Sequence, residues 1–132
     1  MNVLTLSIKQ KYFDEIVSGA KKKEYREIRP NNFARYCRYI LDGKEYAQES
    51  DLPEGRDWDD FVPVKYDAIK FLTGEYKGKR PYAVVEVKGA KAYILTNEND
   101  EPFEYEGSDG KVYVMAEIEY ELGNVIERCN YI

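Results

Sequence analysis

The segment G-A-K-K-K-E-Y-R, residues 19–26, carries the residue types most able to do chemistry. Arg26 has a planar guanidinium that suits a phosphate or a base edge, and Lys21 supplies a point charge or, if desolvated, a nucleophile or base. Glu24 could hold Arg26, two positions along one strand face, or accept a hydrogen bond from an exocyclic amine. The alternative is a solvated lysine turn followed by a surface pair worth about 0–1 kcal/mol.

A strand, a helix and a glycine turn lead into this segment. The even-numbered side chains of residues 3–8 are all large and apolar and alternate with smaller or polar ones, which predicts a strand with one buried face. Ser7 and Gln10 match the S-x-x-Q capping box, and apolar residues then recur at helical spacing as far as Val17. Gly19 is placed where a left-handed residue would end the helix.

A second strand is predicted over residues 21–28, where no helical stripe is present. Strict alternation along that strand would put Lys21 opposite Glu24 and Arg26. The three side chains therefore converge only if Lys21 lies in the turn before the pleat.

The rest of the chain is predicted to be rich in strands. The predicted elements are a helix over 33–41, a surface loop over 44–63, strands over 68–72, 82–95 and 112–122, and an acidic connection over 97–110. This order alternates too little for a doubly wound sheet. We expect a single domain over residues 1–132, of the α+β class, with a small, strongly curved mixed sheet and helices at its ends.

The absence of histidine excludes whole classes of chemistry. The chain has no His, so Ser-His-Asp and Cys-His catalysis and His-ligated zinc are ruled out. Cys37 and Cys129 form no C-x-x-C pair and are too few for a disulfide framework. With no signal-like N-terminus and no long apolar run, we expect a cytoplasmic protein that does not enter a membrane.

Charge is distributed unevenly along the chain. Lys and Arg number 20 against 25 Asp and Glu, which gives a net charge of −5. Residues 1–44 carry 10 basic and 5 acidic side chains, whereas residues 45–132 carry 10 and 20. A polyanion-coating protein is disfavoured, but the N-terminal part could still meet an anion.

The run L-S-I-K-x-K-Y-F-x-x-I-x-S-G-x-K-x-x-E-Y-R, from Leu6 to Arg26, resembles the N-terminal signature of the ASCH domain, marked by G-x-K-x-x-E-x-R. That family belongs to the PUA-like superfamily. The resemblance implies a small mixed β-barrel of about five to six strands with two helices packed at its ends. It also implies RNA or nucleotide binding without a metal or organic cofactor.

Carried onto this chain, the resemblance assigns a ligand-binding cleft. Its motif positions are Gly19, Lys21, Glu24 and Arg26. Ser7 and Lys9, at the end of the first strand, would border the same cleft.

The resemblance leaves an enzymatic alternative open. One similar branch removes the acetyl group from N4-acetylcytidine with a Lys, a Thr and a Glu, and another is a ribonuclease. Here Lys21 keeps the lysine, but Glu24 stands where the amidohydrolase has Thr. Lys21 and Glu24 are therefore the catalytic candidates, and hydrolysis would need a water activated by one of them.

Other features are predicted to be structural. Trp58, in the first acidic loop, is expected to plug the barrel end, with a base-stacking lid as the alternative, and most of the 13 tyrosines are expected to pack. A third class of function also stays open, in which the acidic loops over 45–63 and 97–110 bind a partner protein.

Overall fold

The computed structural model describes residues 1–74 and 80–129, and these contain ten strands, two helices and a 3₁₀ turn. The helices are α1 (Gln10–Ser18) and α2 (Phe33–Tyr36), and the 3₁₀ turn is Glu49–Asp51. In chain order the strands are β1 (Val3–Ser7), β2 (Lys23–Ile28), β3 (Cys37–Leu41), β4 (Lys44–Tyr46), β5 (Asp60–Pro63), β6 (Ala68–Leu72), β7 (Tyr82–Ile94), β8 (Glu104–Glu106), β9 (Val112–Val114) and β10 (Ala116–Cys129).

The predicted small barrel with two helices at its ends is wrong. Strands make up 51% of the structure and form open, mixed sheets. One sheet has the order β1-β6-β7-β10-β2, a second has the order β4-β3-β5, and β8 and β9 form a ribbon. Within the described ranges no sheet closes on itself, because β1 and β2 remain as the two edges of the largest one.

The second predicted helix, over residues 33–41, is also wrong beyond its first turn. Only Phe33–Tyr36 is helical, and Cys37 adopts an extended conformation with φ −138° and ψ 169°. Residues 37–41 then form β3, which pairs antiparallel with β4 and with β5. The apolar spacing fitted a helix, but pairing on both edges favours the strand, where Cys37 and Leu41 are buried.

The chain divides into two compact units, each built from separated segments. The first unit comprises residues 1–24, 65–90 and 120–132, and the second comprises residues 25–64 and 91–119. Strands β2, β7 and β10 each begin in one unit and end in the other.

The first unit is organised around the parallel pair β1 and β6. Val3 lies opposite Ala68 and Ser7 opposite Leu72, and β6 pairs on its other side with β7, antiparallel. The predicted alternation of β1 is confirmed, since Leu4 and Leu6 are buried between exposed neighbours. The buried hydrophobic residues of this unit are Leu4, Leu6, Phe13, Ile16, Ala68, Ile69, Phe71, Ala83, Val84, Val85, Tyr120 and Leu122.

Helix α1 ends as predicted but begins differently. Gly19 has φ 83°, and its N–H donates to the Ile16 carbonyl at 3.1 Å. The expected capping box is absent, because Lys9 is the N-cap residue and no side chain caps the helix. Gln10 instead donates to Asp14 and accepts a hydrogen bond from Thr73 at 3.0 Å.

The second unit contains the three-stranded sheet and the ribbon. Its buried hydrophobic residues are Ile28, Tyr36, Cys37, Leu41, Ala116 and Ile118. The predicted loop over 44–63 holds β4, the 3₁₀ turn and β5, and the predicted connection over 97–110 holds β8.

Neither helix in the described part of the chain has the length and apolar character needed to cross a membrane.

Candidate functional site

Lys21 and Glu24 form an ion pair just after helix α1. Lys21 Nζ lies 3.2 Å from Glu24 Oε1, and the side chains are 23% and 6% exposed respectively. Lys21 Nζ also lies 4.8 Å from the centroid of the Tyr12 ring, within cation–π range. The ammonium is thus held between a carboxylate and an aromatic face.

Backbone contacts fix the turn that carries Lys21. The Lys21 N–H donates to the Glu15 carbonyl at 2.9 Å, and the Lys22 carbonyl accepts from Leu122 N–H at 2.8 Å. Strand β2 starts only at Lys23, so Lys21 lies before the pleat. This placement lets Lys21 reach Glu24, which strict strand alternation would prevent.

Along β2, burial alternates with the pleat. Glu24 is 4% exposed and Arg26 is half-buried, whereas Lys23, Tyr25 and Glu27 are exposed. Arg26 belongs to the second unit, while Gly19, Lys21 and Glu24 belong to the first. Gly19 contributes its left-handed backbone rather than a side chain, and a Cβ built there would meet nothing within 4 Å.

Ser7 and Lys9 line an open depression at the other end of α1. Its other lining residues are Ile8, Gln10, Thr73, Gly74 and Arg80, and neither Lys21 nor Glu24 is among them. The charge-bearing group here that sequence reasoning missed is Arg80.

Three hydrogen bonds orient the Arg80 guanidinium in this depression. Nε donates to the Thr73 carbonyl at 3.2 Å, Nη2 to the Leu72 carbonyl at 3.2 Å, and Nη1 to Ser7 Oγ at 3.3 Å. The positive end of the α1 dipole lies at the same place, and the first turn of the helix contains no acidic residue. The depression is therefore suited to an anion.

A second concave feature lies wholly within the second unit. We call it the aromatic cavity; it has a volume of about 290 Å³. Six half-buried aromatic residues line it: Phe33, Tyr39, Trp58, Phe61, Tyr105 and Tyr113. The polar lining residues are Arg29, Gln48, Glu49 and Ser50.

The rings of the aromatic cavity contact one another. Phe33 and Tyr39 stack with centroids 4.0 Å apart and an interplanar angle of 17°. Trp58 lies 5.6 Å from Tyr39 at 34° and 5.9 Å from Phe61 at 90°. Tyr105 and Tyr113 stack across the ribbon at 5.7 Å. Trp58 was expected to plug a barrel end, whereas it lies in a cavity wall.

Glu49 and Arg29 are the charged residues that line the aromatic cavity. Burial raises the pKa of Tyr39 to about 12, and the Glu49 carboxylate, which accepts a hydrogen bond from its hydroxyl, adds to that shift. Arg29 lies over the Tyr105 ring at 4.6 Å and pairs with Glu27 at 2.6 Å. Glu49 therefore supplies the negative charge at this site.

Sequence reasoning did not find the aromatic cavity. Its six rings come from four separate stretches between residues 33 and 113, so no local spacing joins them. The available signals were the tyrosine content and a tryptophan in an acidic loop. Within the residues that the structure describes, no group of three or more Cys, Asp or Glu side chains is placed to hold a metal ion.

Comparison of the chain with protein-family models, with curated proteins and with solved structures finds no match.

Proposed function

We propose that the protein binds single-stranded RNA or a nucleotide through its first unit, with Lys21 and Glu24 contacting a base edge. The observation that carries this proposal is the 3.2 Å ion pair between Lys21 and a Glu24 side chain that is only 6% exposed. It sets a hydrogen-bond donor beside an acceptor. The Watson–Crick edge of a base presents the complementary pattern, which proteins read on unstacked nucleotides.

Phosphate binding is assigned to the depression at the start of α1. Lys9 supplies a point charge and Arg80 a guanidinium already oriented by Ser7 and two carbonyl groups. Phosphate contacts of this kind position a nucleic acid without reading its sequence.

The two features lie at opposite ends of one helix, and this sets the size of the ligand. Helix α1 has nine residues, which span about 13 Å at 1.5 Å per residue. A ligand that uses both ends must therefore be longer than one nucleotide. We expect oligonucleotides to bind more tightly than mononucleotides.

Charge favours the first unit for this role. It carries 12 basic against 8 acidic side chains, although the whole chain has a net charge of −5. A short strand can use the local excess, whereas a long duplex meets the overall negative charge.

The similarity of Leu6 to Arg26 to the ASCH signature supports the same function, because its motif positions include the ion pair. A cytoplasmic location is part of the proposal, and it agrees with two cysteines that are not joined by a disulfide.

The decisive experiment measures binding of four labelled single-stranded RNA homopolymers by fluorescence anisotropy. Lys21→Ala should cost about 1–3 kcal/mol and reduce the difference between bases, as expected for a base contact. Lys22→Ala is the matched control, because it removes the same charge from the same turn at an exposed side chain. Equal losses in the two variants, or no binding by the wild type, would refute base recognition at Lys21.

Lys9→Ala tests the phosphate contact separately. It should weaken binding of all four RNAs equally and reduce the salt-dependence slope by about one. A change in base preference would argue that Lys9 contacts a base instead.

The hydrolase alternative is tested with the same variants. N4-acetylcytidine and labelled RNA are incubated with the protein, and products are separated by chromatography. If the wild-type protein forms product and Lys21→Ala does not, the protein is an enzyme that uses Lys21, and the proposed binding function is wrong. Binding without any product supports the proposed function.

A further inference from the structure

We propose that the aromatic cavity of the second unit binds a compact organic cation, of the methylated ammonium class. This is a second site, and it depends on none of the residues assigned to nucleotide binding. The arrangement of its rings, its charge and its volume support the assignment.

The ring geometry suits a rounded ligand better than a flat one. A base inserted between two rings needs centroids about 7 Å apart, twice the optimal carbon–carbon separation. The two stacked pairs, Phe33 with Tyr39 and Tyr105 with Tyr113, have centroids only 4.0 and 5.7 Å apart. Neither pair leaves a slot for a base.

The remaining rings face in several directions. Trp58 is tilted 34° from Tyr39 and stands at 90° to Phe61, and Phe61 is tilted 58° from Phe33. Rings in different planes can present π faces to a rounded cation from more than one direction. A methylated ammonium group spreads its charge over such faces without needing directed hydrogen bonds.

Charge at the aromatic cavity is also complementary to a cation. The Glu49 carboxylate lies on its wall and accepts a hydrogen bond from Tyr39. The second unit carries 17 acidic against 8 basic side chains, which raises the local concentration of cations.

The chain itself already places a cation on one of these rings. The Arg29 guanidinium lies 4.6 Å from the centroid of Tyr105, and its charge is paired with Glu27 at 2.6 Å. A ligand cation would therefore be attracted by the Glu49 carboxylate, and it would be repelled only weakly by Arg29, because Glu27 neutralises the charge of Arg29. The volume of about 290 Å³ is near the lower end of small-molecule sites, which suits a small ligand.

The test compares choline with 3,3-dimethyl-1-butanol, its uncharged carbon analogue of nearly the same shape. Trp58 is the only tryptophan of the chain, so its emission reports on the cavity directly. Each choline addition is matched against an equal concentration of sodium chloride. We expect choline to change the Trp58 emission and to bind at least tenfold more tightly than the neutral analogue.

Two variants assign the effect to this site. Glu49→Gln should weaken choline binding several-fold and leave binding of the neutral analogue unchanged. Glu45→Gln is the matched control, since Glu45 is an exposed residue of β4 outside the cavity lining and should bind choline as the wild type does. Trp58→Leu, followed by calorimetry, should abolish choline binding, and circular dichroism confirms the fold of each variant.

Three results would overturn the assignment. Equal affinity for choline and the neutral analogue would make the cavity merely apolar, and no binding of either at millimolar concentration would leave it without this function. Tighter binding of cytidine or adenosine than of choline would make it a base pocket. None of these results alters what Lys21→Ala does to RNA binding, so the two sites can fail separately.

Discussion

The first unit carries 12 basic against 8 acidic side chains, whereas the second carries 8 against 17. The concave site of the first is lined by polar and cationic residues at a helix end, whereas that of the second is lined by aromatic rings, the Glu49 carboxylate and Arg29, whose charge is paired with Glu27. The net charge of −5 is the sum of a positive first unit and a negative second unit. The sign of the charge on a ligand must therefore be inferred for each unit separately and not from the net charge of the whole chain.

Aromatic residues are also used differently in the two units. In the first, Phe13 and Phe71 are 1% and 0% exposed and belong to the core. In the second, the rings of the aromatic cavity stay half-buried and face open space. Packing accounts for the first set, whereas the second leaves apolar surface that a ligand could cover.

The largest expected effect contrasts a core ring with a cavity ring. Phe71→Ala should cost about 3–5 kcal/mol of unfolding free energy, because it empties a fully buried position. Phe61→Ala should cost less than about 2 kcal/mol, since its ring is only partly buried. Urea unfolding followed by circular dichroism measures both. Equal losses would mean that the cavity rings are core residues too, and the contrast between the units would fail.

A smaller effect is expected at the ion pair of the first unit. Lys21→Ala removes the partner of a buried carboxylate and should cost about 1–3 kcal/mol of unfolding free energy. Lys22→Ala, at an exposed position, should change stability by less than about 0.5 kcal/mol. Chemical denaturation of the two variants side by side provides the comparison. Indistinguishable midpoints would show that Lys21 is merely part of a solvated turn.

The turn that presents Lys21 can be tested at Gly19. Gly19→Ala should cost about 1 kcal/mol, because an alanine Cβ disfavours a φ of 83° while meeting no neighbouring atom. Gly19→Asn should cost less, since asparagine tolerates the left-handed region better. Thermal unfolding distinguishes the two, and a reversed order would indicate that the space around residue 19, not its φ, is limiting.

The last contrast concerns reactivity rather than stability, and it compares the two cysteines, one in each unit. Burial raises the pKa of Cys37 from 9.0 to about 12, so at pH 8 its thiolate fraction falls about a thousandfold. Cys129 is half-buried. A thiol reagent at pH 8 should modify Cys129 first and reach Cys37 only after denaturation, and Cys129→Ser should abolish the early reaction.

The raised pKa of Cys37 also determines whether the unfolding free energy rises or falls at alkaline pH. Because the folded state favours the protonated Cys37 thiol, its stabilising contribution is complete below pH 9 and is lost as the pH rises toward 12. Cys37→Ala should flatten this decline in unfolding free energy. An unchanged decline would assign it to other groups, among them Tyr39 with its own raised pKa.

Sequence reasoning succeeds where one local pattern determines the structure. Strand β1, helix α1 and the left-handed Gly19 follow from alternation, helical spacing and a single glycine, all within twenty residues. Lys21 could be placed conditionally, since only a position before the pleat allows contact with Glu24. The capping box fails because Lys9, and not Ser7, is the N-cap residue, while Gln10 interacts with Thr73, 63 positions away.

The features that sequence reasoning missed all depend on distant residues. Residues 37–41 become a strand because β4 and β5 pair with them, which helical spacing cannot reveal. Closure of a sheet depends on which strands become its edges, so the barrel could not be judged from strand count alone. Arg80 reaches Ser7 across 73 positions, and the aromatic cavity gathers its rings from four separate stretches.

One wall of the aromatic cavity rests on the ribbon of β8 and β9, whose register has only three residue pairs. A two-stranded ribbon of this length is barely stable by itself in water. Its amide protons should therefore exchange among the fastest of all paired strands. A ligand bound between Tyr105, Tyr113 and the opposite wall of the cavity would stabilise this ribbon. Slower amide exchange in β8 and β9 would therefore report binding even of a ligand that has no optical signal.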